Sequence, residues 1–178
     1  MEGAVQAAEL ALELKPGSDL ALYNLCKAKG LQYERTGDRE ALDKYVGLAL
    51  EMAHKKPSPR NLGLLGIALV CKFHATGAVE ALDEAIEASL KSIHSGVGKS
   101  SDLSKRLITL GNTLPPRTQW KGTREDMLRD ISDSIHHLQR ASRIMERKGD
   151  NQSASRTVKP VGYDANLAYA LMTRYDIL

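Results

Sequence analysis

Apolar residues recur along this chain at spacings of three and four, the period that gathers side chains onto one face of a helix. In residues 4–15, Val5, Ala8, Ala11 and Leu12 form one stripe, and Pro16-Gly17 ends it. Leu22, Leu25, Ala28 or Lys29, and Gln32/Tyr33 form a second, with Ser18 or Asp19 as its cap and Gly37 as its stop. Asp38 then caps a helix whose inner face is Leu42, Val46, Ala49, Leu50 and Ala53, closed by Pro57-Ser58-Pro59. Leu62, Leu65, Leu69 and Phe73 predict a helix from about Ser58 to Thr76, and Leu82, Ala85, Ile86, Ser89 and Ile93 another from Val79 to about Ser95.

These stripes repeat. Thr36-Gly37-Asp38-Arg39-Glu40-Ala41-Leu42-Asp43 returns forty residues later as Thr76-Gly77-Ala78-Val79-Glu80-Ala81-Leu82-Asp83, with six of eight positions identical. Leu25/Leu65, Ala28/Ala68, Tyr33/Phe73 and Leu50/Leu90 extend the match. Self-similarity at this spacing marks stacked helix pairs, none of which buries its apolar face alone. A third unit has drifted: Leu103, Leu107, Leu110, Gly111 and Leu114 fill one helix, and Pro115-Pro116 breaks it. A helix from Thr123 or Arg124 then places Ile131, Ile135, Leu138 and Ala141 as the echo of Leu82 and Ile86. Residues 149–162 have almost no large apolar residue and read as a linker, after which Leu167, Ala170 and Tyr175 restart the pattern.

The expected fold is thus all-α: a right-handed α-solenoid of antiparallel helix pairs, about seven or eight helices, in one domain over 1–178. It divides into a half repeat at 1–16, repeats at 18–57 and 58–98, and a degenerate repeat at 101–148. The linker at 149–162 and a half repeat at 163–178 complete it. Two half repeats expose apolar residues, among them Val5, Leu12, Tyr169, Leu171 and Tyr175, so self-association through the ends is expected. Leu42, Leu82 and Ile131 are expected to be buried at equivalent places, as are Tyr33 and Phe73.

Composition narrows the setting. The chain is 42% hydrophobic and 26% charged, ordinary for a folded protein. It has no apolar run near the roughly 20 residues of a membrane helix. Residues 1–14 carry Glu2, Glu9 and Glu13 and no basic stretch, which argues against a secretory signal. Cys26 and Cys71 are the only cysteines, which fits a reducing cytoplasm or nucleus rather than a disulfide framework. The formal charge of +3 is unevenly spread: residues 1–89 hold 10 basic and 13 acidic side chains, and 90–178 hold 15 and 9.

The leucine and small residue, the aromatic-x-x-Thr-Gly turn and the Glu-x-Leu-Asp start together resemble the tetratricopeptide-like repeats of large fungal proteins. In many of those, such arrays precede a caspase-like CHAT protease domain. The resemblance spans nearly the whole chain, is strongest in units one and two, and weakens where Pro115-Pro116 replaces the turn. It implies a scaffold whose first helices line a concave groove. The paired-carboxylate clamp of some tetratricopeptide proteins is not reproduced, because Leu64 stands at the position of Asn24.

No reactive motif competes with that reading. Gly96-Val97-Gly98-Lys99-Ser100 lacks the first glycine of a phosphate loop, Ile93 standing in its place. His54, His74, His94, His136 and His137 lack the spacing that sets two imidazoles on one helix face, so neither metal nor cofactor is expected. Glu40/Asp43 and Glu80/Asp83 recur at helix starts, where a carboxylate suits the dipole. The expected function is therefore non-enzymatic: binding of a peptide or partner protein, with Tyr23, Asn24, Lys27, Asn112 and Asn166 as groove residues. Arg140, Arg143 and Arg147 form a basic stripe that supports the alternative, an anionic partner such as nucleic acid or an acidic lipid surface. The lack of interleaved aromatics beside that stripe argues against nucleic acid.

Overall fold

The computed structural model describes residues 2–95, 103, 106–114, 123–149 and 170–172. They form α1 (Glu2–Leu14), α2 (Asp19–Thr36), α3 (Arg39–Lys55), α4 (Pro59–Thr76), α5 (Val79–His94), α6 (106–114) and α7 (Arg124–Gly149). Residues 170–172 are helical too, and no strand occurs among the described residues. Each of α1 to α5 packs on its neighbours in the chain, most extensively α4 on α5, so the arrangement is all-α and solenoid-like. The Pro115-Pro116 break, the 96–100 loop and the linker after 149 lie outside the described residues.

The Thr-Gly identity has a chemical reason. Thr36 Oγ1 donates to the Gln32 carbonyl at 2.8 Å and accepts from the Asp38 N–H at 3.2 Å. Thr76 does the same with Lys72 and Ala78. Gly37 and Gly77 take the left-handed conformation at φ 67° and 72°, returning their N–H groups to the carbonyls of Tyr33 and Phe73. Such a turn reverses the chain within two residues and lays each second helix against its first. Ser18, Asp38 and Ser58 cap α2, α3 and α4 through their side chains. Thr123 and Asp126 cap α7 reciprocally, each backbone N–H meeting the other's side chain.

Burial follows the repeat. Leu42, Leu82 and Ile131 are each at most 2% exposed, at equivalent points of α3, α5 and α7. Phe73 is buried, whereas its counterpart Tyr33 is only half-buried, since a phenol keeps its hydroxyl near water. Leu22, Leu50 and Ile93 are likewise half-buried at the margin of the stack.

The two helices of a unit meet at one point of very close approach. In unit one Cys26 Sγ donates to the Tyr45 carbonyl at 3.7 Å. In unit two a Cβ on Gly66 would lie 3.4 Å from the Ala85 carbonyl and 2.6 Å from Ser89 Oγ. In unit three a Cβ on Gly111 would lie 3.2 Å from the Ser134 carbonyl and 2.8 Å from Leu138 Cγ. Gly66 and Gly111 are 45 positions apart and Ala85 and Ser134 are 49, against 40 for both pairs before them. The added residues thus fall five before the first helix of unit three and four between its two helices.

Successive units are joined by another repeated bond. Asn61 Nδ2 donates to the Met52 carbonyl at 3.3 Å, and Arg106 Nη1 donates to the Ser92 carbonyl at 2.9 Å. Asn61 and Arg106 are equivalent in the repeat, as are Met52 and Ser92.

Two stability experiments test this account. Unit two lacks the side-chain cap that Asp38 gives unit one, because Ala78 stands there. Ala78→Asp is expected to stabilise the fold, and Asp38→Ala to cost about 0.5–2 kcal/mol, both read from urea midpoints. Equal midpoints for all three proteins would contradict the cap assignment. The second experiment compares two helical glycines. Gly47→Ala, with nothing within 4 Å of its new Cβ, is expected to stabilise by about 0.5–1 kcal/mol. Gly111→Ala should instead destabilise by about 1–3 kcal/mol through overpacking against Leu138 and the Ser134 carbonyl.

Candidate functional site

Because α2 turns Leu25, Cys26 and Ala28 towards its neighbours, Leu20, Asn24, Lys27 and Leu31 are left on its exposed face. The same phase on α4 leaves Arg60 and Ile67 exposed and Leu64 half-buried. The two helices start side by side: the Arg60 guanidinium lies 3.6 Å from the centre of the half-buried Tyr23 ring. Lys27 Nζ lies 5.8 Å from the centre of the same ring, so one aromatic side chain gathers two cations. Of the groove residues expected from sequence, the structure therefore brings Tyr23 and Lys27 together, with Asn24 beside them on α2.

Asn112 lies on α6, half-buried, with its Oδ1 enclosed and without a hydrogen-bond partner among the described residues. Arg140 and Arg143 are exposed on α7, away from the Tyr23 cluster in the chain and on a different helix. Asn166 and the side chain of Arg147 lie outside the described residues. Arg60 is the residue that the sequence reading missed. Its signal was weak, because only the junction of two units, and not the pattern of either, brings it over Tyr23.

Clefts open on several sides of α2. One, of about 240 Å³, lies where α2, α3 and α4 meet, lined by Leu20, Leu22, Tyr23, Lys55, Lys56 and Arg60 among others. A second, of about 380 Å³, runs between α1 alanines and the Asn24, Lys27 and Leu31 side of α2. A third, of about 770 Å³, flanks the ion pair of Lys29 with Glu9, at 3.4 Å.

Three titratable groups elsewhere are perturbed by a partner or by burial. Hydrogen bonding to Lys44 holds the exposed Glu40 carboxyl below its usual range. Burial pushes the Cys26 thiol up to about 12 and that of Cys71 to about 11, so both stay protonated at neutral pH. Among the described residues no three His, Cys, Asp or Glu side chains converge as a metal site, and no helix is long and apolar enough to cross a membrane. The chain matches no protein-family model and no curated protein.

One group carries a pH signal. Burial holds the half-buried His137 imidazole below the usual histidine range, His136 adds to this, and Nδ1 has no partner among the described residues. Arg140 and His94 act in the same direction and Asp133 opposes them. The folded protein thus favours neutral His137, while the unfolded chain takes up a proton near pH 6.5. Its contribution is complete above that value and is lost as the pH falls through it. The urea midpoint should fall as the pH is lowered below about 6.5. His137→Gln should reduce that drop, and an unchanged pH dependence would contradict the assignment.

Proposed function

We propose that this chain is a non-enzymatic interaction module that holds a peptide or a segment of a partner protein against the exposed face of α2 and α4. The observation that carries this is the surface itself. Leu20, Leu31 and Ile67 are exposed to 63%, 49% and 37%, on the same two helices as Tyr23, Lys27 and Arg60. Solvated helix faces seldom combine several large apolar side chains with an aromatic ring and unpaired cations, and interfaces do. Tetratricopeptide-like repeats of the kind found beside fungal CHAT protease domains would use this face in the same way, within the cytoplasm. Of the end residues expected to be exposed, Val5 is buried and Leu12 half-buried, because both pack with Leu25 and Ala28 of α2. Leu171 is 46% exposed, and Tyr169 and Tyr175 lie outside the described residues. Leu10 and Leu14, 54% and 80% exposed on α1, are the large apolar residues of that helix left for association between copies. The alternative, an anionic partner on the Arg140 and Arg143 stripe of α7, keeps two exposed cations, but among the described residues neither stands beside a tyrosine ring and an apolar cleft as Arg60 does.

Selection of peptides from a displayed random library against the folded chain tests the proposal. Enriched peptides should bind the native protein and lose most of their affinity for a Leu31→Asp, Ile67→Asp variant of unchanged melting temperature. Peptides that bind both proteins equally, or a library that yields no binder, would count against it.

A further inference from the structure

The cleft between α2, α3 and α4 has a composition that selects its occupant. Its apolar wall is Leu20, Leu22 and Tyr23, and its floor is fixed by Asn61, which donates to the Met52 and Lys56 carbonyls at 3.3 and 3.0 Å. Around that wall stand Lys55, Lys56 and Arg60, with Lys27 on the flank of Tyr23. A single carboxylate, Asp19, lines the cleft and lies 3.5 Å from Lys56. Arg60, Lys55 and Lys27 have no carboxylate partner among the described residues. The Arg60 guanidinium rests on an aromatic face, which leaves its outer N–H groups free to donate to a planar acceptor.

Size limits the occupant as charge does. About 240 Å³ is below the roughly 300–1,000 Å³ that encloses a cofactor or drug-sized ligand, and it suits one large side chain. We propose that this cleft is the docking point of an acidic peptide segment, which seats one apolar side chain against Leu20 and Tyr23 and offers flanking carboxylates to Arg60, Lys27 and Lys55. The proposal rests on the reading of α2 and α4 as a partner-binding face, and it names the chemistry of the partner.

The arrangement occurs at this junction and is altered at the next. At the position equivalent to Tyr23, unit two has Gly63, and the stem of Arg106 approaches it, 3.1 Å from where a Cβ would stand. Arg106 is spent on the Ser92 carbonyl and hydroxyl and is 8% exposed. The second junction is therefore filled by its own arginine where the first leaves its cations facing solvent.

The probe is a fluorescein-labelled peptide carrying one leucine flanked on both sides by glutamates, with the glutamine version as its neutral counterpart. Fluorescence polarisation should show the acidic peptide binding at least about tenfold more tightly, with affinity falling as salt is raised. Arg60→Glu and Lys55→Glu, both at exposed positions, should each weaken it about tenfold, while Lys72→Glu on the same helix should not. Amide shifts in an NMR titration should centre on Leu22, Tyr23, Lys55 and Asn61. No binding of the acidic probe, equal binding of the neutral one, or unchanged affinity in Arg60→Glu would overturn the inference. Library peptides that depend on Ile67 while the acidic probe fails would overturn it alone and leave the partner-binding reading standing.

Discussion

Everything in this chain hangs on one close contact per unit, where a first helix comes within touching distance of a backbone carbonyl on the second. Only a small residue fits there, and the chain supplies Cys26, Gly66 and Gly111 against the carbonyls of Tyr45, Ala85 and Ser134. In unit three the contact is reinforced, since Ser134 Oγ donates to the Gly111 carbonyl at 2.5 Å. Glycine in a helix interior costs roughly 1 kcal/mol relative to alanine. The chain accepts that cost twice because a Cβ would force the helices apart and expose core on both. Insertions consequently accumulate between helices, and the contact keeps its geometry when the sequence spacing rises from 40 to 45 and 49. By fixing which side of each first helix faces inward, the contact also fixes which side is left for a partner.

The joints between units obey a second constraint, the satisfaction of carbonyls that a helix leaves at its C-terminal end. Asn61 supplies donors to the end of α3, and Arg106 supplies them to the end of α5. The side chains differ because the spaces differ. Over unit one the ring of Tyr23 occupies the joint, so a short amide suffices below it and Arg60 lies on top. Over unit two Gly63 leaves room, and a long arginine fills it. At the other end of the array, Lys29 takes the position that Leu69 holds in unit two and finds its charge partner in Glu9 of α1. One repeat pattern thus yields a solvated cationic cleft at one joint and a closed polar staple at the next.

Much of this was legible in the sequence, for identifiable reasons. Leu42, Leu82 and Ile131 could be placed because identical local surroundings demand identical burial. The Thr-Gly turn could be placed because a left-handed residue and a hydroxyl that bonds both ways are rarely found together except to end a helix. Tyr45 was not legible: it is 5% exposed and central to the core, yet unit two has Ala85 there. Its explanation is a swap in volume. The Tyr45 ring lies about 3 Å from a Cβ placed on Gly30, whereas in unit two Val70 stands opposite the smaller Ala85 in the repeat. Reading one position at a time hides such a pair, and only comparing both changes at the same spacing reveals it. Arg60 over Tyr23 was hidden for a related reason, as the two residues belong to different units.

Charge shows most clearly why local geometry outweighs bulk composition here. By count the first half of the chain is the acidic one, yet it bears the cationic cleft. Several of its carboxylates are occupied within or between helices, Glu9 with Lys29, Asp19 with Lys56, Glu40 with Lys44 and Glu87 with Lys91. Exposed pairs of this kind add little stability, but they neutralise the surface where they stand. At the first joint Arg60, Lys27 and Lys55 stand without a carboxylate partner among the described residues, beside an aromatic ring and an apolar wall. In the second half Arg106 is buried in a staple and Arg129 is tied to Asp126 on its own helix, while Arg140 and Arg143 stay exposed on α7. A partner diffusing towards the molecule responds to charges that are solvated and unpaired, within a Debye length of about 10 Å. On that scale a half that is acidic by count still presents a local cationic cleft, and its net charge does not say where an anionic segment would land.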